Sequence, residues 1–336
     1  MPEKILLTGG AGYIGSHTYV ALVAAGYDVV ILDNFSNARR DVLDRLEMIT
    51  GHPVTCYEGD VLDAGILRRI FAEHQISAVI HFAAKKAVGE STQIPLEYFQ
   101  TNGAGLINLL REMLAAGVFR LVFSSSATVY GEAETLPTPE DSPRSFSSPY
   151  AFTKLICEQM LEQAAQADKR WAFGILRYFN PAGAHKTGLI GEDPGDIPNN
   201  LMPYISKVAT GELARLSVFG DDYETPDGTG VRDYIHVEDL AEGHVLSVRA
   251  LVDTNQCHTV NLGTGQGYSV FDMLASYEKA CGHSLPHVVT PRRPGDVPYY
   301  IADPSRAKAV LGFSARLGLD EMCETSWNWI SRNKNT

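Results

Sequence analysis

Short, nearly unbroken apolar runs punctuate the first half of the chain at residues 4–8, 28–32, 54–58, 78–82, 120–123 and 172–178. Runs this short, with no polar residue at every second position, read as strands buried on both faces, the signature of a parallel sheet. Between them, residues 13–25, 40–49, 64–73, 96–115 and 150–167 carry apolar side chains at helical spacing. This alternation predicts an α/β fold with a doubly wound parallel sheet of Rossmann-like kind. Past residue 180 it breaks into segments rich in Gly, Pro and Asn at 183–200 and 220–230, with shorter elements between them. A second, smaller mixed α/β lobe is expected there. A helix over 237–251 and a strand at 258–262 are expected to return to the first lobe.

The first strand runs into Thr8-Gly9-Gly10-Ala11-Gly12-Tyr13-Ile14-Gly15, which fits G-x-G-x-x-G from Gly10 and G-x-x-G-x-x-G from Gly9. Glycines at a strand-to-helix turn let the backbone and a helix N-terminus approach a pyrophosphate. Asp33 closes the second strand, where a carboxylate accepts from the adenosine ribose and repels a 2′-phosphate, favouring NAD over NADP. Arg39 and Arg40 blur that preference, and a turn or cap is the other role open to Asp33. Asp60, after Gly59, is placed either to meet the adenine amine or to cap the next helix.

Tyr150 and Lys154 lie one helical turn apart, behind Ser148 and Pro149, which read as an N-cap and first helical residue. An ammonium one turn from a phenol, with a nicotinamide cation beside it, favours the phenolate, a base for a hydroxyl proton. Ser124, Ser125 and Ser126 end the fifth strand at the edge where parallel sheets bind ligands; spacing leaves open which of the three acts. Arg232 and Arg293 are either two forks for a second diphosphate or ordinary surface ion-pair partners.

Composition narrows the field. With 336 residues, 45% of them hydrophobic, the chain has material for a large core, and a net charge of −12 with pI near 5.3 argues against nucleic acid or an anionic membrane as partner. Five separated cysteines and ten histidines show no metal-ligand spacing, so no metal is expected, and His81 reads as a satisfied core residue. The acidic stretch 221–228 lacks the alternating ligands of a calcium loop, and neither a nucleophile elbow nor a P-loop occurs. No apolar run approaches the ~20 residues that span a bilayer, and the first strand begins at residue 4, so a cytoplasmic protein is expected.

The pieces together resemble the extended short-chain dehydrogenase/reductase superfamily and, within it, the UDP-glucose 4-epimerase family. The resemblance rests on the glycine loop, Leu32-Asp33-Asn34, His81-Phe82-Ala83, Lys86-Ala87-Val88-Gly89-Glu90-Ser91, the serine run, Tyr150 to Lys154, Arg177-Tyr178-Phe179-Asn180-Pro181, Pro198-Asn199-Asn200-Leu201-Met202-Pro203-Tyr204 and Gly230-Val231-Arg232-Asp233-Tyr234-Ile235-His236. It implies reversible epimerisation at C4 of UDP-galactose and UDP-glucose by transient hydride transfer to tightly bound NAD, through a 4-keto intermediate. Ser126, Tyr150 and Lys154 would be catalytic, the first two reaching the sugar O4. NAD would touch Gly9, Gly12, Tyr13, Ile14 and Gly15 in the loop and Asp33, Asn34, Asp60 and Val61 beyond it. Phe82, Ala83, Lys86, Asn102 and Ser124 would line its other side with Tyr150, Lys154 and Phe179. Asn180, Asn200, Leu201, Phe219, Arg232, Tyr234, Arg293 and Asp296 would hold the uridine diphosphate.

The same resemblance implies that Tyr300 narrows the sugar pocket against N-acetyl groups, and that a homodimer forms through helices near 96–115 and 150–167. It divides the chain into an NAD-binding domain, 1–180 with a return segment 231–265, and a nucleotide-sugar lobe, 181–230 and 266–336. Two departures stand out: Ala84-Lys85 where the family has Gly-Leu, which puts charge near the cofactor, and Ala151-Phe152-Thr153 inside the Tyr-Lys turn. A nucleotide-sugar 4,6-dehydratase is disfavoured because Ala127 and Thr128 stand where those enzymes place an Asp-Glu pair. A non-catalytic dinucleotide sensor would leave Ser126, Tyr150 and Lys154 without a reason to occur together.

Overall fold

The computed structural model describes residues 3–193, 198, 200–293 and 296–333. Of the residues quoted above, Asn199 lies outside them. The first half alternates β1 (Lys4–Thr8), α1 (Tyr13–Ala24), β2 (Asp28–Asp33), α2 (Val42–Thr50), β3 (Thr55–Glu58), α3 (Ala64–Glu73) and β4 (Ile76–His81). It continues through α4 (Val88–Gln93), α5 (Pro95–Tyr98), a π-helical turn (Phe99–Ala104), α6 (Gly105–Ala116), β5 (Arg120–Ser126), α7 (Pro149–Ala167) and β6 (Ala172–Tyr178). There follow β7 (Asn180–Ala182), α8 (Leu201–Ala209), β8 (Leu216–Phe219), β9 (Val231–His236), α9 (Val237–Thr254) and β10 (His258–Leu262). The chain ends with β11 (Gly267–Tyr268), α10 (Val270–Cys281), β12 (His287–Thr290), β13 (Tyr299–Tyr300), α11 (Ser305–Leu311) and α12 (Leu319–Asn333).

Seven parallel strands form one sheet in the order β10-β6-β5-β4-β1-β2-β3. Strand order reverses between β1 and β4, the switch point at which such sheets open a crevice at their carboxyl ends. Successive residues of each strand feed opposite cores. Ile5, Leu7, Val29, Ile31 and Ile80 pack with α1 and α9 on one face, while Leu6, Val30, Leu32, Val79 and Leu121 pack with α3, α6 and α7 on the other. Burial on both faces is why these strands carry almost no polar residues.

Two expected elements differ. The helix at 96–115 is α5 and α6 joined by the π-helical turn, with Pro95 at the first position of α5. β5 runs three residues past 123, because Ser124, Ser125 and Ser126 stay in register with Leu176, Arg177 and Tyr178 of β6. The expected return segment also divides: Val231–His236 pairs with β7, β11 and β13 in a separate four-stranded sheet, and only α9 and β10 join the large one. α8, α10 and α12 cover a third core that includes Met202, Ile205, Tyr277 and Met322, beside the two-stranded β8–β12 sheet.

Candidate active site

Four strand ends build the site. Thr8 at the end of β1 accepts from the amides of Phe82 and Ala83 past β4, at 2.9 and 3.0 Å. The glycine loop sits in that corner. Gly9 has φ +72°, and a β-carbon there would lie 2.7 Å from the Ala83 amide nitrogen; one on Gly15 would lie 2.4 Å from the Gly9 carbonyl oxygen. Those glycines let the loop pack on itself and on β4. Gly12 differs: nothing but the Gly9 carbonyl, at 3.4 Å, would meet its β-carbon, and it is the N-cap of α1 without a side-chain cap. A bare cradle at an uncapped helix N-terminus fits a dinucleotide pyrophosphate.

Asp33 is buried and each carboxylate oxygen accepts one backbone amide, from Ala11 and from Phe35, both at 2.9 Å. Burial raises its pKa and those amides oppose the rise. A buried acceptor at this position suits a ribose hydroxyl. The two arginines nearby are engaged elsewhere: Arg40 forks onto Glu58 and stacks on Phe35, and Arg39 pairs with Asp41 at 3.3 Å. Asn34 donates to Asp60 at 2.7 Å. Asp60 is not the cap of the next helix; Asp63 is, accepting from Gly65 at 2.8 Å. Val61 is buried, its side chain against Gly105.

On the catalytic side, Ser148 caps α7 by accepting from Ala151 at 3.2 Å, and Pro149 occupies the first helical position. The pleat separates the three serines. Ser125 points away from the site and donates to Glu158 at 2.5 Å. Ser124 offers its carbonyl to the Lys154 ammonium at 2.6 Å, and Ser126 turns its hydroxyl toward Tyr150 and Thr128. Lys154 is almost wholly buried, its nitrogen 6.0 Å from the Tyr150 ring centroid.

Burial drives Lys154 down to about 8, with Cys157 and Glu158 resisting. Burial also raises the Tyr150 phenol above its ordinary value, and only the Ser126 hydroxyl opposes it. The expected phenolate is therefore not produced by the chain's own groups. Lys154 aims at a carbonyl, and desolvation of the phenolate outweighs a cation at that range. His81 is the satisfied core histidine expected, bonded to Thr8 at 2.6 Å and pushed to about 3 by burial.

The remaining positions close the crevice. Asn102, in the π-helical turn, holds the Lys85 backbone through both its amide groups and donates to Thr153 at 2.9 Å, so it braces the loop carrying Lys86. Lys85 adds no free charge, being paired with Glu97 at 2.7 Å. Lys86 and Asn200 both reach Glu192, at 3.2 and 3.4 Å. Leu201 opens α8 against the third core. The Phe179 ring meets Tyr300, whose hydroxyl is buried without a partner and whose pKa burial pushes upward. Asn180 donates to the Asp233 carbonyl, Tyr234 is buried beside it, and Arg232 lies 3.7 Å from Asp296. Arg293 stacks on Phe219 at 3.8 Å. Neither arginine is a plain surface ion pair.

Sequence reasoning missed Glu158, Arg177, Arg144 and Thr153. Glu158 had a signal, since it follows Lys154 by four residues and Tyr150 by eight, on one helix face.

The family model for GDP-mannose 4,6 dehydratase matches residues 6–326. UDP-glucose 4-epimerase of Bacillus subtilis (strain 168) is 54% identical over 331 residues, 98% of each chain. The crystal structure of UDP-glucose 4-epimerase from Bifidobacterium longum, in complex with NAD+ and UDP, superposes with a TM-score of 0.93 at 50% identity over 99% of both chains. That of the enzyme from Stenotrophomonas maltophila, with bound NAD and formylated UDP-arabinopyranose, gives 0.97 at 47% identity over 99% of both. Identity of this extent across nearly the whole chain places the protein in the UDP-glucose 4-epimerase family.

Proposed function

We propose that this chain interconverts UDP-galactose and UDP-glucose by reversible epimerisation at C4, through a 4-keto sugar, with NAD retained between turnovers. The observation that carries the reading is the convergence of the Ser126 and Tyr150 hydroxyls at the end of β5, with buried Lys154 behind them and the glycine cradle two strands away. Bound NAD supplies reversible hydride acceptance at C4 and a positive charge. The loop from Gly9 to Gly15 would hold its pyrophosphate, Asp33 its ribose, and Asn34, Asp60 and Lys86 its flanks.

Tyr150 takes the O4 proton and later returns it. Ser126 fixes O4 by a hydrogen bond, and the positive charge of bound NAD, with the Lys154 ammonium held on the Ser124 carbonyl behind it, would favour the phenolate that burial resists. Asn180, Asn200, Phe219, Arg232, Arg293 and Asp296 would anchor the uridine diphosphate while the sugar turns, so the keto intermediate is not lost. Tyr300 narrows the space for the sugar, and poor turnover of UDP-N-acetylglucosamine is expected. Elimination of water needs an acid and base beside Ser126, but Ala127 is buried and Thr128 donates to Ser126. The dehydratase reading is the weaker one.

A homodimer accompanies this reading, supported by exposed Leu96 on α5 and by exposed Phe99 and Phe146, whose rings pack on Phe152 of α7. A cytoplasmic location is supported by five free thiols. No described helix is long and apolar enough to cross a membrane. The deciding test gives the purified protein UDP-galactose without added NAD and follows the sugar nucleotides by NMR. A mixture with UDP-glucose is expected; no conversion even after NAD is supplied would remove the assignment.

A further inference from the structure

Behind the catalytic residues lies a buried ion network that the reaction does not call on. Glu158 is fully buried on α7, one turn beyond Lys154 and two beyond Tyr150. One carboxylate oxygen accepts from Ser125 at 2.5 Å and from Arg177 Nε at 2.9 Å. The other accepts from Arg177 at 2.7 Å and from Arg144 at 3.1 Å. Arg177 continues to the Tyr130 hydroxyl and the Glu140 carbonyl, both at 2.9 Å, while Arg144 also pairs with Glu162. One side chain thus joins α7, β5, β6 and the segment between β5 and α7.

Ser125 is the middle residue of the strand end. Its neighbours on either side are the ones that matter: the Ser124 carbonyl receives Lys154, and the Ser126 hydroxyl faces Tyr150. A tether on Ser125 therefore fixes both at once, from the α7 face of the sheet that also carries Tyr150 and Lys154. We infer that Glu158 is a positioning residue that locks the end of β5 onto α7, so that Ser126 and Lys154 meet Tyr150 in working geometry. The inference rests on the catalytic reading of those three residues.

Its charge acts as well. Lys154 is faced by Tyr150, Cys157 and Glu158 from its own helix and by His81 from β4; Glu158 is one of the groups that keep it protonated against burial. Ser125, Arg144, Arg177 and Tyr130 face Glu158 itself, and Arg144 keeps Glu162, so removing the anion leaves the Arg177 guanidinium uncompensated and disfavours the Lys154 ammonium further.

The test uses the enzyme purified with its NAD. In E158Q, kcat should fall about tenfold or more with KM for UDP-galactose within about threefold, as when a transition-state arrangement is lost. The alkaline limb of the kcat profile should move to lower pH by about one unit. S125A removes the tether and leaves every charge, so kcat should fall about threefold or more with the limb unmoved. If E158Q does not fold, S125A decides. Both variants within about twofold of the parent in kcat, with unmoved limbs and only a lower Tm, would overturn the inference. Y150F run alongside separates the layers: turnover retained there removes the reading of Tyr150 and this inference with it, while turnover lost there but kept in both other variants removes this inference alone.

Discussion

Around Gly9 and Gly15, a β-carbon would come within 2.7 and 2.4 Å of backbone atoms, so the rim after β1 works by having no side chains. Two strands away, the rim at the end of β5 works by immobilising side chains, with Ser125, Glu158 and Arg177 all buried and mutually bonded. On the proposed function, the first rim would fit its ligand by shape and backbone amides, and the second would set protonation and direction. They should therefore fail differently, one by losing cofactor and the other by losing chemistry with cofactor in place.

The largest separation should come from Tyr150→Phe. Turnover should fall by about 10²–10⁴ while NAD content and UDP affinity by calorimetry stay at parent values. Arg177→Met tests how far the second rim depends on its buried pair. Leaving Glu158 with Arg144 alone should lower stability by about 3–5 kcal/mol in urea melts, with NAD content of the folded fraction unchanged. Gly15→Ala should do the converse, reducing NAD retained on purification and costing about 1–3 kcal/mol from overpacking. Normal NAD content with slower turnover per bound cofactor in that variant would break the comparison. The smallest effect is expected from Ser148→Ala, which removes the cap of α7 and should cost about 1 kcal/mol, read as a few degrees in Tm with chemistry retained.

The first rim was legible in the chain because its requirements are local. The loop, Asp33 and the strands around them lie within about thirty residues, and burial on both faces writes itself as unbroken apolar runs. The second rim was legible only in part. Tyr150, Lys154 and the Ser148 cap are written in one helix, but the role of Ser125 depends on Glu158, 33 residues on, and on a pleat whose register is set by β6. The phenol's raised pKa was not legible, since desolvation depends on everything packed around it. The second lobe was the least readable: its strands are two to six residues long and pair across the chain, as β9 does with β7, β11 and β13. Strands that short leave no period to detect.

Because β10 follows β7, α8, β8, β9 and α9 in the chain, the large sheet is finished late in synthesis. β6 ends at Tyr178 and its outer neighbour begins at His258, about eighty residues later. At ribosomal rates of ~5–20 residues per second, an edge apolar but for Arg177 and the Tyr178 hydroxyl stays unpaired for some ~4–16 s on the nascent chain. An open edge of that composition invites pairing with other chains. Cells making this protein thus have a defined interval in which a chaperone has most to protect, and slowing translation between residues 178 and 258 should lower soluble yield without changing the finished fold.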